Sequence, residues 1–76
     1  MLSIITNLVM EYVEVEEKDL TEETNPVRDL HLNSYDFISI IGRLESELGI
    51  DINERELKNL ETLGELDAYI KSKMIH

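Results

Sequence analysis

Ile4, Ile5, Leu8, Val9, Tyr12 and Val13 recur at i, i+1, i+4, i+5, i+8 and i+9. That spacing is one face of an α-helix, with Thr6, Asn7, Glu11 and Glu14 on the other, and it predicts a helix over about residues 3–15. Phe37, Ile40, Ile41, Leu44 and Leu48 make the inward stripe of a second helix over about residues 34–48. Asn33 is a good N-cap, Asp36 suits the positive end of the helix dipole, and Gly49 is a natural stop. A short third helix, about residues 54–60, is opened by Asn53 with Glu56 as a capping-box-like pair, and buries Leu57 and Leu60. Thr62 and Glu65 repeat that pair ahead of a fourth helix over about residues 63–74. Its inward face is Leu63, Leu66, Ile70 and Met74, with Tyr69 beside them, and Lys71 and Lys73 complement the dipole at its end.

Between the first two helices, Glu16 to Leu32 has no period. The only proline, Pro26, disfavours helix at Asn25. Loops longer than ~12–15 residues are usually functional or disordered. Here Leu20, Val27, Leu30 and Leu32 are spaced apolar anchors, which predict a loop packed on the core with one short helical turn. No segment alternates as a strand does. The expected fold is all-α: a small four-helix bundle of three main helices, one short helix and a long first loop, in a single domain over residues 1–76.

Composition narrows the function. A chain of 76 residues buries only about 60% of its unfolded surface and is too short for a large enclosed active site. With no cysteine there is no disulfide or thiolate metal site, which fits a cytoplasmic protein. Met1 to Met10 lacks a basic leader region, and no apolar run approaches the ~20 residues of a membrane span. Seventeen acidic against seven basic residues give a net charge of −10. That charge repels nucleic acid and anionic membranes; it serves solubility, or favours basic partner surfaces. The acidic run from Glu14 to Glu23 lacks the ordered oxygens and turn glycine of a calcium loop and reads as a solvated segment. His31 and His76 have no ligand set, so no metal is assigned. No phosphate-binding glycine loop or serine–histidine–acid set is present, so no enzyme is expected.

One constellation carries chemistry. In Asp29–Leu48, DLHLNSYDFISIIGRLESEL, Ser34 stands in the first turn of an amphipathic helix after a long loop and an Asp-Leu pair. A serine at a helix start is ordinarily a cap. It is also where a phosphodiester would be stabilised, by unpaired backbone N–H groups and the positive end of the dipole.

The stretch resembles the attachment site of the acyl carrier protein family, usually D-L-G-x-D-S-L, then an acidic or polar residue and a helix. The likeness continues through G-I-D-I-N to T-L-G-E-L-D-A-Y-I, covering roughly residues 20–70. It implies a carrier whose Ser34 bears a covalent 4'-phosphopantetheine arm. The arm's thiol holds acyl intermediates as thioesters, in fatty-acid or specialised biosynthesis (polyketide, aminoacyl or lipid). The implied partners are a phosphopantetheinyl transferase and the acyl-loading and acyl-using enzymes, with basic docking surfaces; a monomer is expected. The alternative is a carrier-like interaction module that is never modified. Asn33 replaces the family's usual aspartate, Tyr35 its leucine and His31 its glycine, where a left-handed backbone would be strained.

With the inward stripe assigned to the core, Tyr35, Asp36, Ile38, Ser39, Gly42, Arg43 and Glu45 are left nearer solvent on the second helix. The expected partner-binding residues are Tyr35, Asp36, Ile38, Ser39, Gly42 and Glu45. Ile38, one turn from Tyr35, either completes an exposed contact patch or is half-buried against a loop. Family members can shelter an acyl chain among their helices. The walls here would be Phe37, Ile41, Ile52, Leu57 and Leu60, against the simpler reading that these are plain core.

Overall fold

The computed structural model describes residues 1–74, and His76 lies outside them. Four α-helices follow in order: α1 Ser3–Tyr12, α2 Ser34–Leu48, α3 Glu54–Leu57 and α4 Leu63–Met74. A 3₁₀ turn, Glu17–Asp19, interrupts the first loop, and no strand occurs among the described residues. The architecture is the all-helical bundle expected, with three main helices and one short one.

The core gathers one stripe from each helix. Ile5, Leu8 and Val9 of α1 meet Ile40, Ile41 and Leu44 of α2, Leu57 of α3, and Leu63, Leu66 and Ile70 of α4. Leu20, Leu32 and Ile52 close it from the loops. Helix α1 stops at Tyr12 because Val13 turns extended (φ −134°, ψ 139°). The β-branched Val13 and Val15 favour that conformation. Helix α3 stops at Leu57, and the chain continues through a turn in which Leu60 N–H bonds Leu57 O at 3.0 Å.

Several side chains sit elsewhere than the helical period places them. Thr6, assigned to the outer face, is buried, and its hydroxyl bonds back to Ser3 O at 3.1 Å. Val27, read as an anchor, is exposed, whereas Pro26 beside it is buried. Phe37 is half-buried at the edge of the core. Met74 is exposed, because α4 runs past the core in its last turn.

The first loop is ordered by its own short side chains. Asn25 Oδ1 accepts from Val27 N–H and Arg28 N–H, with Pro26 at the first position of the turn, where its missing N–H costs nothing. Thr24 is buried and its hydroxyl accepts from Thr21 N–H. The loop then satisfies the start of α4: Leu63 N–H bonds Thr24 O at 2.8 Å and Gly64 N–H bonds Glu22 O at 2.9 Å. Two of the donors that a helix N-terminus leaves unpaired are thereby used.

Gly64 permits this approach, since a Cβ there would lie 2.8 Å from both the Cβ and the carbonyl oxygen of Glu22. Neither atom can yield without moving the loop. Gly64→Ala is therefore expected to destabilise by about 1–3 kcal/mol, despite alanine's better helix propensity. A urea midpoint at or above the parent's would show that the loop gives way freely.

Among the described residues Asp67 is the one buried carboxylate, with a relative exposure of 4%. It accepts from Leu2 N–H at 2.7 Å and faces Lys71 Nζ at 2.9 Å. Burial pushes its pKa up, but the Leu2 N–H and Lys71 together outweigh burial and hold it below the usual value. A depressed folded pKa adds stability above the unfolded value, near 4, that is lost as pH falls through the folded one. Asp67→Ala should cost about 2 kcal/mol at pH 7, from the stranded Leu2 N–H and the lost pairing with Lys71, and the charge-dependent part of that deficit should shrink as pH falls below about 4. Urea melts at the two pH values check both signs.

Candidate functional site

Helix α2 begins where the loop delivers it. Asn33 Oδ1 accepts from Asp36 N–H at 2.8 Å, so Asn33 is the N-cap. The cap role is thereby filled by the neighbour of Ser34. Ser34 is the first residue of the helix, is exposed, and its hydroxyl enters no hydrogen bond among the described residues. The first four N–H groups of a helix have no intrahelical acceptor, and in α2 the Asn33 side chain takes only that of Asp36, so Ser34 presents a free hydroxyl beside free donors at the positive end of a 15-residue helix. An anion esterified there would be stabilised by that field.

His31 has φ +58°, the left-handed region that disfavours a side chain. The chain bends there between a turn and α2, with Leu32 buried just beyond it and Leu32 N–H bonded to Pro26 O at 3.2 Å. Upstream, Asp29 is held below the usual carboxylate range by Asn25 N–H and then by Arg28.

Around Ser34 the surface is apolar. Tyr35 is 86% exposed and Ile38 47% exposed, so both side chains are open to solvent. Ser34, Tyr35 and Ile38 line one shallow depression of about 340 Å³. Ile38 also borders a groove of about 220 Å³ between α2 and α3, with Phe37, Glu54, Leu57 and Lys58.

The other expected partner residues diverge. Ser39 and Gly42 are exposed, Asp36 is half-buried in the first turn, and nothing in the chain lies within 4 Å of a Cβ built at Gly42. Glu45 is already engaged: half-buried, it accepts Ile52 N–H at 2.9 Å and pins the loop ahead of α3. Arg43 is held by Glu11 of α1 and Glu47. Of the expected chain-sheltering residues, Phe37 and Leu57 border the groove; Ile41 and Ile52 are buried and Leu60 half-buried in the core.

One functional feature escaped the reading of the sequence. Glu56 does not close a capping box on Asn53. The Tyr69 hydroxyl stands between them, accepting Asn53 N–H at 3.2 Å and donating to Glu56 Oε1 at 2.8 Å. Lys73 Nζ is 3.4 Å from the same carboxylate and 5.3 Å from the Tyr69 ring centre. The Tyr69 hydroxyl, then Lys73, hold Glu56 below the usual carboxylate range. The clue was a tyrosine beside the apolar stripe of α4, whose polar tip needed a partner.

The chain matches the family model described as "Phosphopantetheine attachment site" over residues 3–70. It is 37% identical to an acyl carrier protein of Lactobacillus acidophilus over 68 residues, covering 90% of this chain and 85% of that one. It is 29% identical over 72 residues to an acyl carrier protein of Thermotoga maritima, covering 95% and 89%. Among solved structures, the acyl carrier protein from Enterococcus faecalis superposes with a TM-score of 0.79 at 25% identity, covering 91% of this chain and 87% of that one.

Proposed function

The chain belongs to the acyl carrier protein family, which carries acyl groups on phosphopantetheine, and we propose that here the arm is esterified to Ser34. The observation that carries the assignment is the free hydroxyl: Asn33 caps α2, and Ser34 is left exposed and unbonded beside unpaired N–H groups. When bound, the arm supplies a thiol that holds acyl groups as thioesters. Ser34 supplies the ester oxygen and the helix start supplies the field for the phosphodiester. An unmodified interaction module would have no use for that arrangement.

Tyr35 and Ile38, with Asp36, Ser39 and Gly42, form the face that partner enzymes meet, and the net charge of −10 draws basic surfaces to it. The altered Tyr35 and Asn33, and the Arg43 tied to Glu11, suit a specialised set of loading enzymes. No catalytic group is assigned to the chain, which acts as one domain over residues 1–76, as a cytoplasmic monomer. No helix among the described residues is long and apolar enough to cross a membrane.

The test is direct. The protein is incubated with coenzyme A and a promiscuous phosphopantetheinyl transferase, then weighed intact and mapped by peptide mass. One phosphopantetheine on the peptide containing Ser34 is expected; a protein that stays unmodified overturns the assignment.

A further inference from the structure

Helix α3 is a single turn, Glu54–Leu57, and of its residues only Leu57 is buried. One turn does not hold itself. Besides Leu57 in the shared core, its hold on α4 centres on the Tyr69 hydroxyl, which accepts from the N–H of the cap residue Asn53 and donates a hydrogen bond to Glu56 Oε1. Lys73 braces the same carboxylate. On its other side α3 forms one wall of the groove that Phe37 and Ile38 bound from α2, and Ile38 leads from that groove to the depression at Ser34. Ile40 and Ile41, farther along α2, are both buried in the core that Leu57 shares.

We propose that the Tyr69 hydroxyl is the catch of a lid: it holds α3 on α4, across the groove from α2, and so decides whether an acyl chain lies on the surface or enters beneath α3. The inference rests on attachment at Ser34. In the latched form the groove is too shallow to enclose a chain, and Phe37 and Leu57 offer only their edges. Without the hydroxyl, Asn53 N–H loses its acceptor and α3 itself keeps only Leu57 and the Glu56–Lys73 pair, so that its displacement uncovers Ile41 as a floor. Tyr69 is thus a positioning residue for cargo, remote from the attachment atom.

Tyr69→Phe removes the hydroxyl and keeps the ring. Parent and variant are loaded with acetyl or octanoyl phosphopantetheine, and cleavage by neutral hydroxylamine is followed. In the parent the two thioesters are expected to react at similar rates. In Tyr69→Phe the octanoyl thioester is expected to react several-fold more slowly than the acetyl one. Glu56→Gln, which still accepts from the hydroxyl, should resemble the parent. Equal octanoyl-to-acetyl ratios in parent and Tyr69→Phe, or protection in the parent that the variant loses, overturn the proposal.

Amide exchange on the unloaded proteins is the second arm. Arg55 to Leu57 should exchange about fivefold or more faster in Tyr69→Phe, with α2 and α4 unchanged. Uniform acceleration would mean general destabilisation and would also overturn it. Failure to load at all counts against Ser34, and leaves the exchange arm to decide the latch.

Discussion

Ser34→Ala is expected to take up no phosphopantetheine under conditions that load the parent completely. The loss should be total, because the ester needs an oxygen at that place and the neighbourhood holds no substitute. Ser39 is exposed, but lies farther along α2, where N–H groups are spent on the helix ladder and the field at the helix start has faded. Thr24 is buried and bonded. The same substitution should leave stability within about 0.5 kcal/mol, since an exposed serine that is not the cap contributes little. The pairing of total loss of loading with an unchanged urea midpoint separates a chemical role from a structural one. An adduct that persists in Ser34→Ala would move the attachment elsewhere; a large drop in stability would mean that Ser34, not Asn33, caps the helix.

The largest effect on folding should come from Leu44→Ala. Leu44 is fully buried in the middle of α2, among residues of α1 and α4 that are fully buried too. Truncating it forfeits the transfer energy of the lost carbons and leaves a cavity, together about 3–5 kcal/mol. A domain of this size has only about 4–11 kcal/mol in total. The urea midpoint should fall by about half with an unchanged slope. Phe37, on the same inward stripe of the sequence pattern, is half-buried at the groove, so its truncation should cost less than Leu44→Ala. The reverse order would mean that α2 is rotated toward α3.

The helices were legible because their signals are local. A 3.6-residue period, Asn33 and Asn53 as caps and Gly49 with φ +64° each act within a turn or two. The place of Ser34 at the start of α2 was legible for the same reason, as a pattern read across one loop and one helix. What escaped depends on residues far apart in the chain. Asp67 is a charge on a helix until Leu2 N–H arrives to bond it, and Gly64 is an unremarked glycine until Glu22 packs on it. Thr6 was placed outside by period, yet its back-bonded hydroxyl lets it be buried. Glu45 was counted as a docking residue because nothing near it in sequence reveals the Ile52 N–H it serves. The Tyr69 relay spans 16 residues to Asn53 and 13 to Glu56, and no capping rule foresees a third party between the members of a box.

The bond from Leu2 to Asp67 bears on how the chain is made. It joins positions 65 apart, and the loop's carbonyls reach α4 across shorter spans of 39 and 42 residues. Contacts of that separation carry a loop-closure cost that local helices avoid. On a ribosome, α1 and the first loop therefore emerge with their acceptors and donors still waiting. They find them only when α4 has cleared the exit tunnel, so these helices fold together and late, and the start of α2 takes its final setting only after α4 has been made.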